Sequence, residues 1–531
     1  MFFTQDGWDK YQMNKEEYAL MKEIEKEQKK GEKKDESKDK DKKEAEKEEA
    51  VKDLVFDFDD MKERKARFTI HSSSLGDATL SKDGEQLYYL ASFEGGQNLW
   101  TTNLRTKETK MTLKLDGGSG SLQWDKEMKN LYLLSGGRIS KINADASKRE
   151  AISISGEMEY DAVAERNYMF EHVWIRTKNI FYEPTFHGID WNLMRTEYAK
   201  YLPSIGNSYE FSEMLSEMLG ELNVSHAGSR YGTSIPNADA TASLGIFMDY
   251  AYKGDGIRIA EVLKGGPLDK AKFDIQPGMV IEKIDGELVT SSRDVASYLN
   301  RKSGKFTLLE VTGPKKSDRQ QITVKPISLG AERSLLYNRF VKINEKEVAE
   351  KSNGQLGYVH IPGMGDAPYR SIYADIMGKY FNMKGIIVDT RFNGGGDLVA
   401  DLAMFFTGEP FITYATAAKV VGGEPTSRWT KPTLALFNES MYSDGHCFAQ
   451  GYTDLKIGKT IGMPVPGTCS FAGWEGLPDG GRWGVVPVSA KDKNGRWMEN
   501  LQTEPTIKLK NMPGIIDKNR DQQLERAIQV M

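Results

Sequence analysis

Three consecutive glycines, Gly394 to Gly396, constrain the fold of this 531-residue chain more than any other feature. They follow a short apolar run that predicts a buried strand. Glycine is disfavoured inside regular elements but allows close backbone approach, so the run predicts a strand end packed tightly against another group. A second apolar strand, residues 432–437, leads into the polar stretch 438–445. Ordinary turns have the same composition, so turns alone remain a reading of both stretches.

Ser443 lies just beyond the second of these predicted strands. A serine beyond one strand end, next to a glycine run at a neighbouring strand end, is placed to attack a carbonyl group. The glycine run would bring backbone N–H groups to the oxyanion that develops. The pattern therefore favours a hydrolase site with Ser443 as the nucleophile.

A serine nucleophile needs a base, and the six histidines are His71, His172, His187, His226, His360 and His446. His71 falls in a segment predicted to belong to another domain, and His172 lies in an aromatic stretch that favours a structural role. His360 alternates with apolar residues in a predicted strand. His446 would lie on the helix that Ser443 opens and would point away from it. The two candidates that remain are His187 and His226.

Three motifs carry a resemblance to a known family. They are Ser225-His226 at the end of a helical region, Asp444-Gly445 after the candidate nucleophile, and Glu499-Asn500 shortly before a proline. Residues 60–531 resemble the C-terminal half of tricorn-type proteases, which are relatives of the C-terminal processing peptidases. In that family the Ser-His pair supplies the base, and the stretch around His187 helps to build the helical domain. The resemblance therefore implies His226 as the base.

The resemblance also implies a relay. Ser225 would hydrogen-bond the imidazole, and Glu499 would hold Ser225, in place of a direct contact between carboxylate and histidine. His226 would take the Ser443 proton during attack and return it to the leaving amine, which requires a neutral imidazole. Glu504 remains the competing carboxylate on sequence grounds.

The oxyanion would be met by the backbone N–H of Asp444 and by one glycine N–H, from Gly395 or Gly396. The sequence does not separate the two glycines. Losing one such donor usually costs ~10²–10³ in turnover.

The relatives known as C-terminal processing peptidases use a lysine as the base instead. Here no lysine occurs from Thr460 to Ala490. A Ser-Lys dyad would need Lys456 or Lys459, which come too early after the nucleophile helix. The histidine mechanism is therefore favoured, and an enzyme like the C-terminal processing peptidases is the nearest enzymatic alternative.

Residues 241–330 show the pattern of a PDZ domain. Two short strands are followed by a helix start at residues 265–271, then by a turn, a strand and an Asp-Gly hairpin signal at residues 276–286. PDZ domains bind an extended chain terminus by strand addition, and the backbone nest for its carboxylate would be formed by Leu244, Gly245, Ile246 and Phe247. The alternative is that this module only packs the catalytic pieces together.

Composition excludes several function classes. The net charge of −5 gives no reason to expect a nucleic-acid partner, and no apolar run approaches the ~18 residues of a membrane span. Cys447 and Cys469 are too few for a disulfide framework, and their spacing matches no zinc site. We therefore expect no cofactor and no metal. The N-terminal residues lack the apolar stretch of a secretory signal, and the compartment stays unknown.

The N-terminal third has two parts. Residues 22–52 are almost wholly charged or Ala, which predicts a disordered or fraying helical segment. Residues 78–104 and 122–142 form a weak repeat of about forty residues with short strands, which is typical of propeller blades. Two blades cannot close a ring, since propellers need roughly four to eight. We therefore expect further blades outside this chain, and a small open β-sheet domain is the rival prediction.

The predicted fold is a multidomain α+β protein. Its predicted parts are a charged linker (1–60), incomplete blades of a β-propeller-like region (61–156), a helical domain with the base (157–240), the PDZ domain (241–330) and an α/β sandwich protease domain with the nucleophile (331–531).

The resemblance implies a serine endopeptidase, or a peptidase that acts on oligopeptides, with peptide or unfolded protein as substrate and a homo-oligomer as one arrangement. The stretch from Phe411 to Ala415 lacks the carboxylate that favours basic cleavage sites in the family, so no such preference is expected. Two alternatives stay open. One is a non-catalytic PDZ scaffold that binds peptides, and the other is an enzyme silent without further blades or partner subunits.

Overall fold

The computed structural model describes residues 1–35, 55–70, 72–93, 96–117, 120–143, 148–233, 235–313, 318–518 and 520–531. These residues form two compact units, Met1–Tyr160 and Asp161–Met531. The charged segment predicted at residues 22–52 is helical up to Asp35, and its remainder lies outside the described residues, as does His71.

The described residues of the first unit form two helices and eight strands. Its elements are α1 (Gln5–Gln12), α2 (Lys15–Asp35), β1 (Leu75–Leu80), β2 (Gln86–Ser92), β3 (Gln97–Asn103), β4 (Thr109–Gly117), β5 (Gly120–Trp124), β6 (Leu131–Ser135), β7 (Arg138–Ile142) and β8 (Arg149–Ala151). The strands form two antiparallel four-stranded sheets in sequence order. Leu90 and Leu99 from the first sheet share a buried core with Leu131 and Leu133 from the second. The two sheets do not close into a ring within the described residues, so a propeller is not shown there, and the incomplete blades expected from the sequence remain a prediction.

The second unit begins with a helical region built from α3 (Ala162–Ile180), α4 (Trp191–Ala199) and α5 (Ser208–Gly220). Asp161, Asp190 and Asn207 precede these helices and accept hydrogen bonds from first-turn N–H groups, which would otherwise lack partners. The apolar stripe of α5 is core, as its helical spacing predicts, with Leu215 and Leu219 fully buried.

The next region is a small, mainly antiparallel sheet with one short helix. Its elements are β10 (Ala242–Ser243), β11 (Ile246–Met248), β12 (Ile257–Val262), β13 (Val280–Ile284), β14 (Glu287–Leu288), α6 (Val295–Leu299), β15 (Thr307–Thr312), β16 (Gln320–Val324) and β17 (Ile327–Ser328). The main sheet has the order β11-β12-β13-β15-β16, so β11 is an edge strand. β10 pairs with β17 and closes the region at its base.

The remaining residues form an α/β region. Its elements are α7 (Leu329–Lys351), β18 (Leu356–His360), α8 (Asp366–Ala374), β19 (Gly385–Asp389), α9 (Val399–Phe406), β20 (Ile412–Ala415), β21 (Val420–Glu424), β22 (Thr433–Phe437), α10 (Asp444–Asp454), β23 (Lys459–Gly462), β24 (Ser470–Gly476), β25 (Arg482–Ser489), β26 (Ile507–Lys508) and α11 (Gln522–Val530). The central sheet has five strands in the order β18-β19-β22-β23-β26, and all its pairs are parallel. Its strands are mostly apolar, as expected for a parallel sheet with both faces covered.

Parallel pairing brings the two motifs of the sequence together. In β19 and β22, Asp389 pairs with Leu436, so the carboxyl ends of both strands lie at the same edge of the sheet. The glycine run follows β19 and Ser443 follows β22. Ligands of open α/β sheets bind outside the carboxyl ends of the strands, so a functional site is expected at this edge.

A small three-stranded sheet connects the helical region to the α/β region. Strand β9 (Gly228–Arg230), which starts two residues after His226, pairs with β25 of the β24–β25 hairpin. Trp483 of β25 is fully buried in the core of the helical region. The segment that carries His226 is thereby fixed against the α/β region.

The described part of the chain contains no helix long and apolar enough to cross a membrane. Nor do its histidine, cysteine and acidic side chains form a group of three or more that could hold a metal ion.

Candidate active site

Ser443 occupies a tight turn between β22 and α10. Its backbone has φ +56° and ψ −127°, which is unusual for a residue other than glycine. The Ser443 N–H donates to Thr468 Oγ1 at 2.9 Å, and this bond holds the turn. Such strained conformations cluster at functional sites, where the surrounding structure maintains them.

His226 packs against this turn. Its N–H donates to the hydroxyl oxygen of Tyr442 at 2.8 Å, and the two rings lie 4.6 Å apart between centroids. Tyr442 immediately precedes Ser443, so the imidazole lies beside the nucleophile turn. Its Nε2 atom is buried and has no hydrogen-bond partner among the described residues. A buried nitrogen without a partner is unusual, and it is available to a group at the nucleophile.

The other ring nitrogen enters a relay. His226 Nδ1 lies 2.7 Å from Ser225 Oγ, and Ser225 Oγ donates to Glu499 Oε2 at 3.0 Å. A hydroxyl has one proton, and an ionised carboxylate can only accept. Since the Ser225 proton goes to Glu499, the Nδ1 atom must carry a proton and donate it to Ser225. The Nε2 atom then keeps the lone pair that a general base requires.

Burial lowers the pKa of His226, and the nearby Glu499 carboxylate opposes this shift. The net shift is downward, so the neutral form persists to lower pH than for a free histidine. A neutral imidazole is the form that can accept a proton from serine.

Glu499 is buried, at 6% exposure, and lacks a cationic partner within the described residues. It accepts the Ser225 N–H at 2.6 Å in addition to the Ser225 hydroxyl, and it also accepts the hydroxyl of Ser470. Glu504, the competing carboxylate on sequence grounds, is exposed and pairs with Lys508 at 3.3 Å. Sequence reasoning missed Ser470, since no motif marks a serine 29 residues before its partner.

The glycine run lies against Ser443. A Cβ atom on Gly395 would lie 2.5 Å from Ser443 Cβ and 3.1 Å from Asp444 N, so only glycine fits. A Cβ atom on Gly396 would lie 1.9 Å from the Met364 carbonyl oxygen. Both glycines also have positive φ, +91° and +147°.

The three candidate oxyanion donors differ in their hydrogen bonds. The Gly395 N–H already donates to Asn393 Oδ1 at 2.8 Å. The N–H groups of Gly396 and Asp444 have no acceptor among the residues described. The Gly395 N–H is therefore engaged by a side chain, while the N–H groups of Gly396 and Asp444 are free among the described residues.

Two side chains that sequence reasoning missed tie the glycine run to the nucleophile turn. Buried Asn393 donates to the Ile361 carbonyl at 2.8 Å, and its own carbonyl accepts the Tyr442 N–H at 2.9 Å. The Asp444 carboxylate accepts the Leu398 N–H at 2.7 Å, and burial raises the pKa of this carboxyl. An Asn directly before a glycine run could have been noticed, but its partners could not.

His446 is fully buried behind the nucleophile. Its Nδ1 atom accepts two backbone N–H groups, from Thr468 and Cys469, both at 3.1 Å. Nε2 therefore carries the proton and donates to Thr503 Oγ1 at 3.0 Å. Burial lowers the pKa of His446 to about 4, so it stays neutral and structural. Thr468 in turn holds the Ser443 N–H.

Cys447 and Cys469, which sequence reasoning left unpaired, form a disulfide with a Cα–Cα distance of 5.1 Å. The bond joins the first turn of α10 to the loop before β24, next to the contacts of His446. It therefore fixes the loop that supports the nucleophile turn.

The other described histidines have structural surroundings. His187 contacts the Tyr182 hydroxyl at 2.7 Å and the Leu222 carbonyl at 2.8 Å. His360 contacts the Arg391 carbonyl at 2.9 Å, and burial lowers its pKa.

The lysines considered for a Ser-Lys dyad lie far from the nucleophile along the sheet. Lys459 starts β23 and pairs with Leu434 near the start of β22, whereas Ser443 follows the other end of β22. Lys456 lies three residues earlier still.

The residues predicted to bind a peptide lie at the edge of the PDZ-like sheet. Leu244 is buried, and Ile246 and Phe247 belong to the edge strand β11. Gly245 has φ +66° and its N–H donates to Ser243 Oγ at 2.9 Å.

Three family models match this chain: the Tricorn protease C1 domain over residues 162–220, the Tricorn protease PDZ domain over residues 244–328, and Peptidase family S41 over residues 355–509. The Tricorn protease of Thermoplasma acidophilum is 27% identical over 350 residues, covering 63% of this chain and 32% of that protein. A Tricorn protease homolog from Saccharolobus solfataricus is 28% identical over 366 residues, covering 64% and 32%.

Among solved structures, the crystal structure of the tricorn protease matches 92% of this chain and 49% of that chain, with a TM-score of 0.74 and 19% identity. This likeness supports the mixed α/β multidomain fold. The chain spans about a third of the length of the two curated relatives. The predicted resemblance to tricorn-type proteases and the predicted PDZ domain are confirmed, and residues 355–509 match peptidase family S41.

Proposed function

We propose that this chain hydrolyses peptide bonds with Ser443 as nucleophile and His226 as general base. The observation that carries the proposal is the unpartnered, buried Nε2 atom of His226, whose opposite nitrogen is held by the Ser225 and Glu499 relay. In the proposed reaction Nε2 accepts the Ser443 proton as Oγ attacks the peptide carbonyl. The resulting imidazolium then protonates the leaving amine.

Glu499 stabilises the imidazolium through Ser225. Once Nε2 is protonated, the ring is positive and the buried carboxylate lies one hydroxyl away. Because Glu499 has no cationic partner among the described residues, its charge is not compensated in the resting site. It favours the charged state of the ring that forms during attack.

The oxyanion of the tetrahedral intermediate would accept the Asp444 N–H and a glycine N–H. The Gly396 N–H is free, whereas Gly395 would have to exchange the Asn393 oxygen for the oxyanion. Both glycines remain in the proposed oxyanion hole.

We further propose that residues 157–240, 241–330 and 331–531 act as base-bearing, peptide-binding and nucleophile-bearing domains. The edge strand with Leu244, Gly245, Ile246 and Phe247 would hold an extended stretch of substrate. The two successive four-stranded sheets within residues 61–156 support their assignment as blades of a β-propeller. Peptide or unfolded protein is the proposed substrate, and a homo-oligomer is the proposed assembly, as in the sequence-based expectation.

Fluorophosphonate labelling followed by peptide mapping tests the catalytic proposal. We expect modification at Ser443 alone, abolished in His226→Ala and retained in His172→Ala. His172 is the matched control because it is partly exposed and contacts only Glu475, at 3.8 Å, among acidic side chains. A folded chain that is not labelled at Ser443 would overturn the proposal and favour a scaffold that binds peptides without cleaving them.

A further inference from the structure

A groove runs between the edge strand β11 and helix α6. It encloses a cavity of about 240 Å³ with an apolar wall that includes Ile246, Met248 and Leu299. Strand β11 has a neighbour on one side only within the described residues. An edge strand offers unpaired N–H and C=O groups to an added strand, so the groove fits an extended peptide.

The two ends of the groove can be told apart. The residue that follows α6, Asn300, bridges to Thr241 just before β10, and the Thr241 hydroxyl donates to Asn300 Oδ1 at 2.7 Å. The loop from Ala242 to Gly245 therefore marks the end at which α6 finishes. Asp294, the residue that caps the start of α6, marks the other end.

At the loop end, one backbone N–H and one hydroxyl that a terminal carboxylate could use are already engaged. Capture of a C-terminal carboxylate depends on free backbone N–H groups in this loop. Here the Gly245 N–H donates to Ser243 Oγ at 2.9 Å, and the Ser243 hydroxyl donates to the Glu332 carboxylate. Glu332 comes from α7, outside the sheet, so a negative charge of the protein already lies at this end.

The groove carries negative charge at both ends. Asp294 and Glu332 both line it, and its lining contains no lysine, arginine or histidine. Neither carboxylate has an ion-pair partner within 4.0 Å among the residues described. A second carboxylate brought to the loop end would be repelled, whereas an ammonium or guanidinium group would be attracted.

We propose that this groove binds an internal extended segment that carries a lysine or arginine side chain, and that it discriminates against a free C-terminal carboxylate. The inference rests on the proposed peptide-binding role of the groove, and it does not depend on hydrolysis by Ser443. It also differs from the sequence-based expectation of a carboxylate nest at Leu244 to Phe247.

Fluorescence anisotropy on the full chain tests the proposal, with Ser443→Ala present to prevent cleavage. The probes are three fluorescein-labelled nonapeptides with alternating valine. One has lysine at the alternate positions and a C-terminal amide, the second is the same peptide as the free acid, and the third has glutamate in place of lysine. We expect the lysine amide to bind about fivefold or more tightly than the free acid, and the glutamate peptide to bind most weakly.

Glu332→Gln tests whether the charge of Glu332 causes the preference for the amide over the free acid. This variant removes one charge and keeps the side-chain volume, so we expect it to bring the affinities of acid and amide close together. The matched control is Glu350→Gln, which changes an exposed glutamate on the same helix whose side chain pairs with Lys346 at 3.7 Å. The control should leave the ratio of the two affinities unchanged.

Tighter binding of the free acid, or an acid-to-amide ratio that Glu332→Gln does not change, would overturn the proposal while leaving the groove as a peptide site. Failure of all three peptides to bind would overturn the peptide-binding role as well. Either result is independent of fluorophosphonate labelling at Ser443, so failure of this inference and failure of the proposed peptidase can be distinguished.

Discussion

Two buried carboxylates of the second unit have different surroundings. Asp389 is fully buried and pairs with the Arg391 guanidinium at 2.6 Å, and Arg391 also pairs with Asp521 at 2.7 Å. Glu499 is nearly as buried but is held only by serine hydroxyls and one backbone N–H. The first carboxylate has a permanent cationic partner, and the second does not.

This difference indicates which of the two carboxylates could stabilise a positive charge that forms during the reaction. Burial alone raises the pKa of Asp389, but Arg391 outweighs this effect and holds the pKa below its usual value. That pair fixes the backbone leading from β19 into the glycine run. In the proposed mechanism, Glu499 stabilises an imidazolium that exists only during the reaction. The same type of side chain would therefore serve structure in one place and, as proposed, catalysis in the other.

Removing the base should have the largest effect. We expect His226→Ala to lower peptide hydrolysis by about 10⁴-fold, because Ser443 loses its proton acceptor. The rate is measured as kcat/KM on an unstructured peptide, and thermal unfolding should show that the fold is retained. A rate within tenfold of the wild type would mean that another group activates the serine.

Replacing Asp389, the carboxylate paired with Arg391, should lower the stability of the fold rather than selectively lower the activity. Asp389→Asn leaves the buried Arg391 with one partner fewer, and breaking such a pair typically costs about 3–5 kcal/mol. We expect that loss in the free energy of unfolding, measured by urea denaturation of the second unit. Unchanged stability with reduced turnover would assign Asp389 to catalysis and would contradict the proposed difference between Asp389 and Glu499.

Replacing Glu499, the carboxylate without a cationic partner, should have the opposite pattern, with lower activity and nearly unchanged stability. We expect Glu499→Gln to lower kcat by about 10²–10³-fold, since the imidazolium loses its stabilising charge, with little change in unfolding temperature. Glu504→Gln is the matched control, because Glu504 is exposed and pairs only with Lys508. Equal effects of the two substitutions would contradict the relay.

Ser470→Ala should have a smaller effect. It removes one hydrogen bond to the Glu499 carboxylate while Ser225 still holds it, so we expect a loss of about 1.5 kcal/mol in unfolding free energy. Chemical denaturation measures this loss. Turnover should fall less than in Glu499→Gln.

The smallest expected effect is a shift in the pH dependence of activity. Because burial lowers the pKa of His226, the acid limb of kcat/KM should lie below pH 6.5, and activity should fall as pH drops through this limb. Glu499 acts to raise that pKa, so Glu499→Gln should shift the limb to still lower pH. A pH profile of both proteins measures the shift, and a move to higher pH would show that Glu499 does not act on the imidazole.

The sequence predicted the parts of the site that local patterns encode. The strand ends with the glycine run and Ser443 follow from short apolar runs, and the Leu and Met stripe of α5 follows from helical spacing. The resemblance supplied Ser225, His226 and Glu499, whose contacts span 274 residues of chain.

Other parts could not be predicted because they depend on tertiary contact between segments without a shared motif. Ser470, Asn393 and the Ser243 contact with Glu332 are polar residues in ordinary surroundings until the fold brings their partners close. The pairing of Cys447 with Cys469 depends on the loop that returns to α10. The strand repeat in the first unit predicted short antiparallel sheets, but it does not encode whether such sheets belong to a closed ring, and no closed propeller is shown within the described residues.

The most direct test of the account is the second-order rate of fluorophosphonate reaction at Ser443, compared among the wild type, His226→Ala and Ser225→Ala. The account predicts rapid reaction of the wild type, loss of reaction in His226→Ala and an intermediate rate in Ser225→Ala, which keeps the base but breaks the relay to Glu499. Equal rates in all three proteins would contradict the claim that His226, held through Ser225, activates Ser443.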